Sequence, residues 1–150
     1  MIETTLCYLI KNGCYLMLLR NKEKEDINHN KWLGIGGHVE SGESIDHAMI
    51  REVKEETGLN IKNYTKRGII YFHSDDLHEN MHLYTSDDFD GELIECDEGT
   101  LSWIKIEDVL NLNLWEGDRY FLEELVRNDD YFEMEFFYKG DKLERFSKIK

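Results

Sequence analysis

Proline is absent from the 150 residues, so no native cis-proline slows folding. Cysteine is scarce. Cys7, Cys14 and Cys96 are odd in number and lack metal-ligand spacing, which fits reduced, partly buried thiols in a cytosolic, cytoplasmic protein. No apolar run approaches the ~18 residues of a membrane span, which argues against a membrane protein. The opening MIETTLCYLI has neither a basic start nor a cleavage site, so it does not read as a signal peptide. Positive charge is also in deficit, with 18 Lys and Arg against 32 Asp and Glu and a formal net charge of −14. Such a field repels nucleic-acid backbones and argues against a DNA- or RNA-binding module. It repels free nucleotides as well, so a phosphate-handling protein with this balance needs a divalent cation to bring its substrate in.

What is present describes a folded chain. Hydrophobic residues make up 41% and charged residues 33%, a globular composition. The length suits one domain over residues 1–150. Asn12-Gly13 between the apolar runs 4–10 and 14–20 predicts a hairpin of paired strands, because both turn positions need positive φ. Residues 21–31 form a polar loop without periodicity, and the glycine-broken 32–39 reads as extended. Ile45 to Thr57 reads as a helix with Ser44 as N-cap and Gly58 just past its end. Its Ile45, Met49 and Val53 form a buried stripe. Strands are expected in 67–74, 81–86 and 99–106, a turn at Asp90-Gly91, and a short helix in 106–110. A long helix is expected over 115–128 with an apolar face of Tyr120, Phe121, Leu122, Leu125 and Val126. A closing hairpin is expected around Gly140-Asp141. Without strict βαβ alternation, this is an α+β pattern, a mixed β-sheet covered by helices.

The segment 36–59, GGHVESGESIDHAMIREVKEETGL, holds six carboxylates in 24 residues. At ~100° per residue, Glu52, Glu55 and Glu56 fall within an arc of roughly 100° on the helix. Like charges on one face repel, and the last turns of a helix prefer cations. Local energetics oppose the arrangement twice, so either the face is simply solvated or something offsets the repulsion. A hard cation taking carboxylate oxygens and phosphates would do so.

Counting from Gly37, five residues lead to Glu43, seven more to Arg51-Glu52-Val53, one to Glu55-Glu56 and one to Gly58-Leu59. This spacing resembles the complete Nudix box. The flanking KWLGIGGHVESGES, GELIECDEGTLSW and LWEGDRYFLEEL, with the terminal FFYKGDKL, resemble the MutT-type 8-oxo-dGTP diphosphatases along nearly the whole chain. The resemblance implies a Nudix fold, a mixed β-sheet sandwiched between α-helices. It implies an enzyme: a Mg-dependent pyrophosphohydrolase, Mn substituting, that converts (oxidised) purine nucleoside triphosphates such as 8-oxo-dGTP to the monophosphate and pyrophosphate. Such an enzyme serves nucleotide pool sanitation and DNA repair as a monomer or homodimer. The alternatives are a Nudix hydrolase of a dinucleoside polyphosphate, a nucleotide sugar or ADP-ribose, or a non-catalytic nucleotide sensor.

Carried over by residue, the resemblance makes Glu52, Glu55 and Glu56 the metal-binding carboxylates, with the Gly36 carbonyl and Glu98 as further ligands. Arg51 and Glu43 become an orienting ion pair. Arg20 is placed to meet a phosphate and Trp32 to line the nucleotide cleft. Trp115 and Asp118 sit where the base pocket is built, an indole offering an apolar wall and a carboxyl a hydrogen bond to a purine edge. The chain departs from relatives at Leu33, His38 and Glu116-Gly117-Asp118, where they carry a polar residue, a lysine and two adjacent acids.

Overall fold

The computed structural model describes residues 2–150. Among these residues nine strands form one sheet: β1 (Ile2–Lys11), β2 (Cys14–Leu19), β3 (Trp32–Leu33), β4 (Ile35–His38), β5 (Asn60–Ser74), β6 (Leu77–Asp90), β7 (Thr100–Lys105), β8 (Phe132–Lys139) and β9 (Lys142–Lys148). Their order is β3-β2-β1-β6-β5-β8-β9, with β4 also pairing β1 and β7 also pairing β2. The sheet is mixed. β1 runs parallel to β6 and β5 parallel to β8, while the remaining pairs are antiparallel. Helix α1 (Ile45–Thr57), a 3-10 helix (Ile106–Asn111) and helix α2 (Asp118–Arg127) complete the chain.

Strand β1 is the backbone of this arrangement. Residues Thr4 to Leu9 are all buried, because a strand with neighbours covering both faces has no solvated side. Alternate side chains point to opposite faces. Leu6 and Tyr8 join the cluster that contains Phe121 and Leu122 of α2. Cys7 and Leu9 join the cluster that contains Met49 and Val53 of α1. The two helices therefore cover opposite faces of the sheet.

The predicted hairpin exists only at its tip. Asn12 (φ 52°) and Gly13 (φ 74°) supply the turn, but β1 and β2 pair only through Ile10–Tyr15 and Lys11–Cys14. Beyond that point β1 turns to β4 and β6, and β2 turns to β3 and β7. The two strands splay because each finds longer pairings with chain that is distant in sequence. The strand expected in 67–74 is the C-terminal half of the longer β5, and that expected in 81–86 is the middle of the longer β6.

Helix α2 is shorter than its sequence pattern, ten residues from Asp118. Its buried face is Phe121, Leu122 and Leu125, while Tyr120 and Val126 are exposed. The expected apolar face was too wide because five apolar residues cannot all turn inward on one short helix. This division is testable in one helix. Phe121→Ala should destabilise the fold by about 3–5 kcal/mol, and Val126→Ala by less than about 0.5 kcal/mol. Urea unfolding with unchanged m-values reads both.

Candidate active site

Local chemistry fixes α1. The Ser44 side chain accepts from His47 N at 3.1 Å, and Gly58 takes the left-handed φ of 81° that ends the helix. Thr57 Oγ1 donates to Val53 O at 2.6 Å and accepts from Leu59 N at 3.0 Å, tying the last turn to the exit chain. With Met49 and Val53 fully buried against the sheet, Glu52 comes to lie against β4. Gly37 makes this approach possible, and Gly36 lets β4 lie close against β1. A Cβ on Gly36 would sit 1.7 Å from Thr5 O, and one on Gly37 would sit 2.5 Å from the Glu52 carboxyl carbon.

Arg51 organises the acids around it. Its Nε and Nη2 donate to the two oxygens of Glu43 at 2.6 and 3.0 Å, a bidentate pair. Nη2 also donates to His38 O at 3.1 Å, and Nη1 to Glu52 at 3.0 Å and Glu55 at 3.1 Å. The guanidinium, with help from the Glu40 backbone, holds the Glu43 carboxyl down to about 2. Glu43 thus clips the loop before α1 to the middle of the helix.

The remaining carboxylates are left under strain. Glu56 is buried, and its Oε2 has no hydrogen-bond partner. Burial, followed by the neighbouring Glu98 and Glu52 carboxylates, pushes its pKa up to about 10. Burial also raises Glu52, against the pull of Arg51. A buried carboxylate with an orphaned oxygen, facing other carboxylates, fits a hard divalent cation, whose ligands are oxygens. Glu52, Glu56 and Glu98 would supply them, with backbone oxygen from Gly36 on β4. Glu55 is largely exposed and paired with Arg51. Among the described residues no three such side chains are already gathered in ligating geometry.

Glu52, Glu98, Gly36 and Arg20 line a cleft of about 600 Å³ whose lining also includes Phe72, Met81, Trp115 and Asp118. Arg20 pairs with Asp26 at 2.8 Å and lies 3.8 Å from Glu98. Its Nε is buried without a partner. Trp115 is edge-on to Phe72 and Tyr138, at 6.3 and 5.4 Å between centroids. Lys31 Nζ stands 5.3 Å from the indole centroid. Asp118 is buried, and that burial, opposed by Lys31, pushes its pKa up to about 8.

Trp32 departs from the expectation. It pairs with Leu19 as an edge residue of β3, packs against the larger core cluster and is not part of the cleft lining. Its neighbours Leu33 and Gly34 line the cleft instead. Sequence reasoning missed Thr5, Glu79 and Asn28, which also line it. Thr5 Oγ1 is buried and unpartnered, and Glu79 accepts from Thr4 Oγ1 at 2.9 Å. No local pattern marks these residues, because β1, β6 and the 21–31 segment meet only in three dimensions.

The chain and its fold resemble known proteins. The NUDIX domain family matches residues 3–125. The chain is 33% identical over 116 residues to an oxidized purine nucleoside triphosphate hydrolase of Danio rerio, covering 76% of this chain and 72% of that protein. It is 33% identical over 102 residues to the Nudix hydrolase YvcI of Bacillus subtilis, covering 64% and 65%. The crystal structure of a MutT protein from Bacillus halodurans superposes with a TM-score of 0.89 at 26% identity, covering 99% of this chain and 98% of that one.

The raised Asp118 carboxyl makes a signed prediction. Between its ordinary range and about 8 the folded chain keeps a proton that the unfolded chain has lost, so stability falls as pH rises through that window. Asp118→Asn removes this loss. The melting temperature of the variant minus that of the parent should therefore grow more positive from about pH 5 to about pH 8. A difference independent of pH would mean that Asp118 is ionised throughout.

Proposed function

This chain belongs to the NUDIX family and is a Nudix hydrolase, and from that premise we propose that it cleaves purine nucleoside triphosphates, oxidised ones included, to the monophosphate and pyrophosphate with Mg²⁺ or Mn²⁺. The observation that carries the reading is one cleft lined both by Glu52 and Glu98 and by Trp115 and Asp118. A triphosphate has both a charged tail and an apolar base, and this cleft offers a match for each.

Glu52, Glu56 and Glu98 would hold the divalent ion, with the Gly36 carbonyl. When bound, that ion neutralises phosphate charge and polarises the phosphorus toward attack. Water adds to a phosphorus, the P–O bond to the diphosphate breaks, and pyrophosphate leaves. Such chemistry needs little beyond positioning and electrostatics. Arg51 does the positioning, because it fixes the helix face on which Glu52 and Glu55 stand. Arg20, with an unpartnered Nε beside the acids, meets a phosphate. Trp115 walls the base, and Asp118 hydrogen-bonds its edge. The relative from Danio rerio is named for oxidized purine nucleoside triphosphates, which supports the choice of substrate. No helix among the described residues is long and apolar enough to cross a membrane. The place proposed is the cytoplasm, in upkeep of the nucleotide pool.

Exhaustive chelation should abolish turnover, and Mg²⁺ or Mn²⁺ should restore it. Turnover that survives chelation defeats the reading. Glu56→Gln should lower kcat by at least ~10²-fold, since it removes the charge that holds the ion. Circular dichroism should show the variant folded, because a neutral amide suits that buried site better than a carboxylate does. Near-normal kcat would remove Glu56 from the ligand set. Product identification with dGTP, 8-oxo-dGTP and dATP, alongside a dinucleoside polyphosphate and ADP-ribose, tests the substrate.

A further inference from the structure

The wall residue Trp115 is anchored. Its indole Nε1 donates to Asn28 Oδ1 at 2.7 Å, and both residues line the cleft. Asn28 lies in the polar segment 21–31, which is pinned at its neck. Arg20 N donates to Lys31 O at 3.0 Å, and Asn30 N to Arg20 O at 2.6 Å. Within it, Asn28 N donates to Asp26 Oδ1 at 3.0 Å. Asp26 also holds Arg20, the residue beside Glu98. One closed loop therefore touches the acidic side of the cleft through Arg20 and the aromatic side through Asn28.

The identity of the anchor atom has a chemical consequence. An indole N–H is a donor only. The Asn28 atom facing it must be the carbonyl oxygen, and this fixes which way the amide points. The two N–H donors on Nδ2 are therefore turned away from the indole, and they make no hydrogen bond to the described residues. A base lying beside Trp115 meets donors from this side chain, not an acceptor.

Resting on the purine-nucleotide reading above, we infer that Asn28 is a specificity-determining residue: Oδ1 fixes the Trp115 wall while Nδ2 donates to an exocyclic carbonyl of the base, selecting oxopurine over aminopurine nucleotides. An exocyclic amino group in that place sets donor against donor and leaves both unpaired. Sites that hydrogen-bond a substrate group discriminate strongly for this reason. The preference comes from a segment whose sequence carries no motif.

Two variants separate the two functions of this amide. Asn28→Asp keeps an acceptor for the indole but replaces the donors with oxygen. Asn28→Leu removes both. Steady-state kinetics with Mg²⁺ on dGTP, 8-oxo-dGTP and dATP should show the oxo-to-amino ratio of kcat/KM falling at least ~10-fold in Asn28→Asp. Asn28→Leu should raise KM for all three. In ¹⁵N-correlated NMR spectra, the Trp115 indole N–H signal, assigned by its loss in Trp115→Phe, should stay in place in Asn28→Asp and move in Asn28→Leu. An unchanged ratio in Asn28→Asp, or an indole signal that moves in it, overturns the inference. A parent protein that turns over none of the three nucleotides defeats the purine-nucleotide reading itself. Turnover by the parent with an unchanged ratio in the variant defeats only the role of Asn28.

Discussion

One guanidinium makes the acidic helix possible. Arg51 reaches Glu43, Glu52 and Glu55 within 3.1 Å and Glu40 at 3.6 Å. Without it, α1 would carry like charges on one face and acids at its C-terminal end, both unfavourable. The bidentate bond to Glu43 does more than neutralise. It ties the loop after β4 to the helix that follows, so the glycine strand and the carboxylates keep a fixed spacing. The rest of the acidic site inherits its geometry from that bond.

Neutralisation is deliberately incomplete in physical terms. Arg51 satisfies the outer acids, while Glu56 is buried with an oxygen that bonds to nothing. A protein seldom leaves a buried carboxylate in this condition, because its charged form is costly there. A cation held, as proposed, by Glu52, Glu56 and Glu98 would offset that cost. The two kinds of acid in one motif thus differ in their partners: Glu43 is held low by the Arg51 guanidinium, and Glu56, with no cation beside it, is driven high by burial and the neighbouring carboxylates.

The aromatic side of the cleft obeys a different constraint. Its residues come from β5, β6, the start of α2 and the 21–31 segment. β1 brings them within reach of the acids, since it is buried on both faces and α1 and α2 pack on opposite sides of it. A site that joins phosphate chemistry to base recognition needs both halves of the fold at once.

Local sequence determined much of this. The span of α1, its Ser44 cap and Gly58 stop, the Asn12-Gly13 turn and the closing β8–β9 hairpin all follow from short-range rules, because caps and positive-φ turns depend on neighbours a few residues away. The acid set of α1 was legible for the same reason: its spacing is that of a single helix. Tertiary structure decided what depends on distant partners. The splaying of β1 from β2, the exposure of Tyr120 and Val126, and the packing of a half-buried Trp32 against the core could not be read locally, since each reflects competition among surfaces far apart in sequence. So too with Asn28, Thr5 and Glu79. Nothing beside them in the chain hints at a site. They face the cleft only because long-range strand pairing and one indole hydrogen bond bring them there.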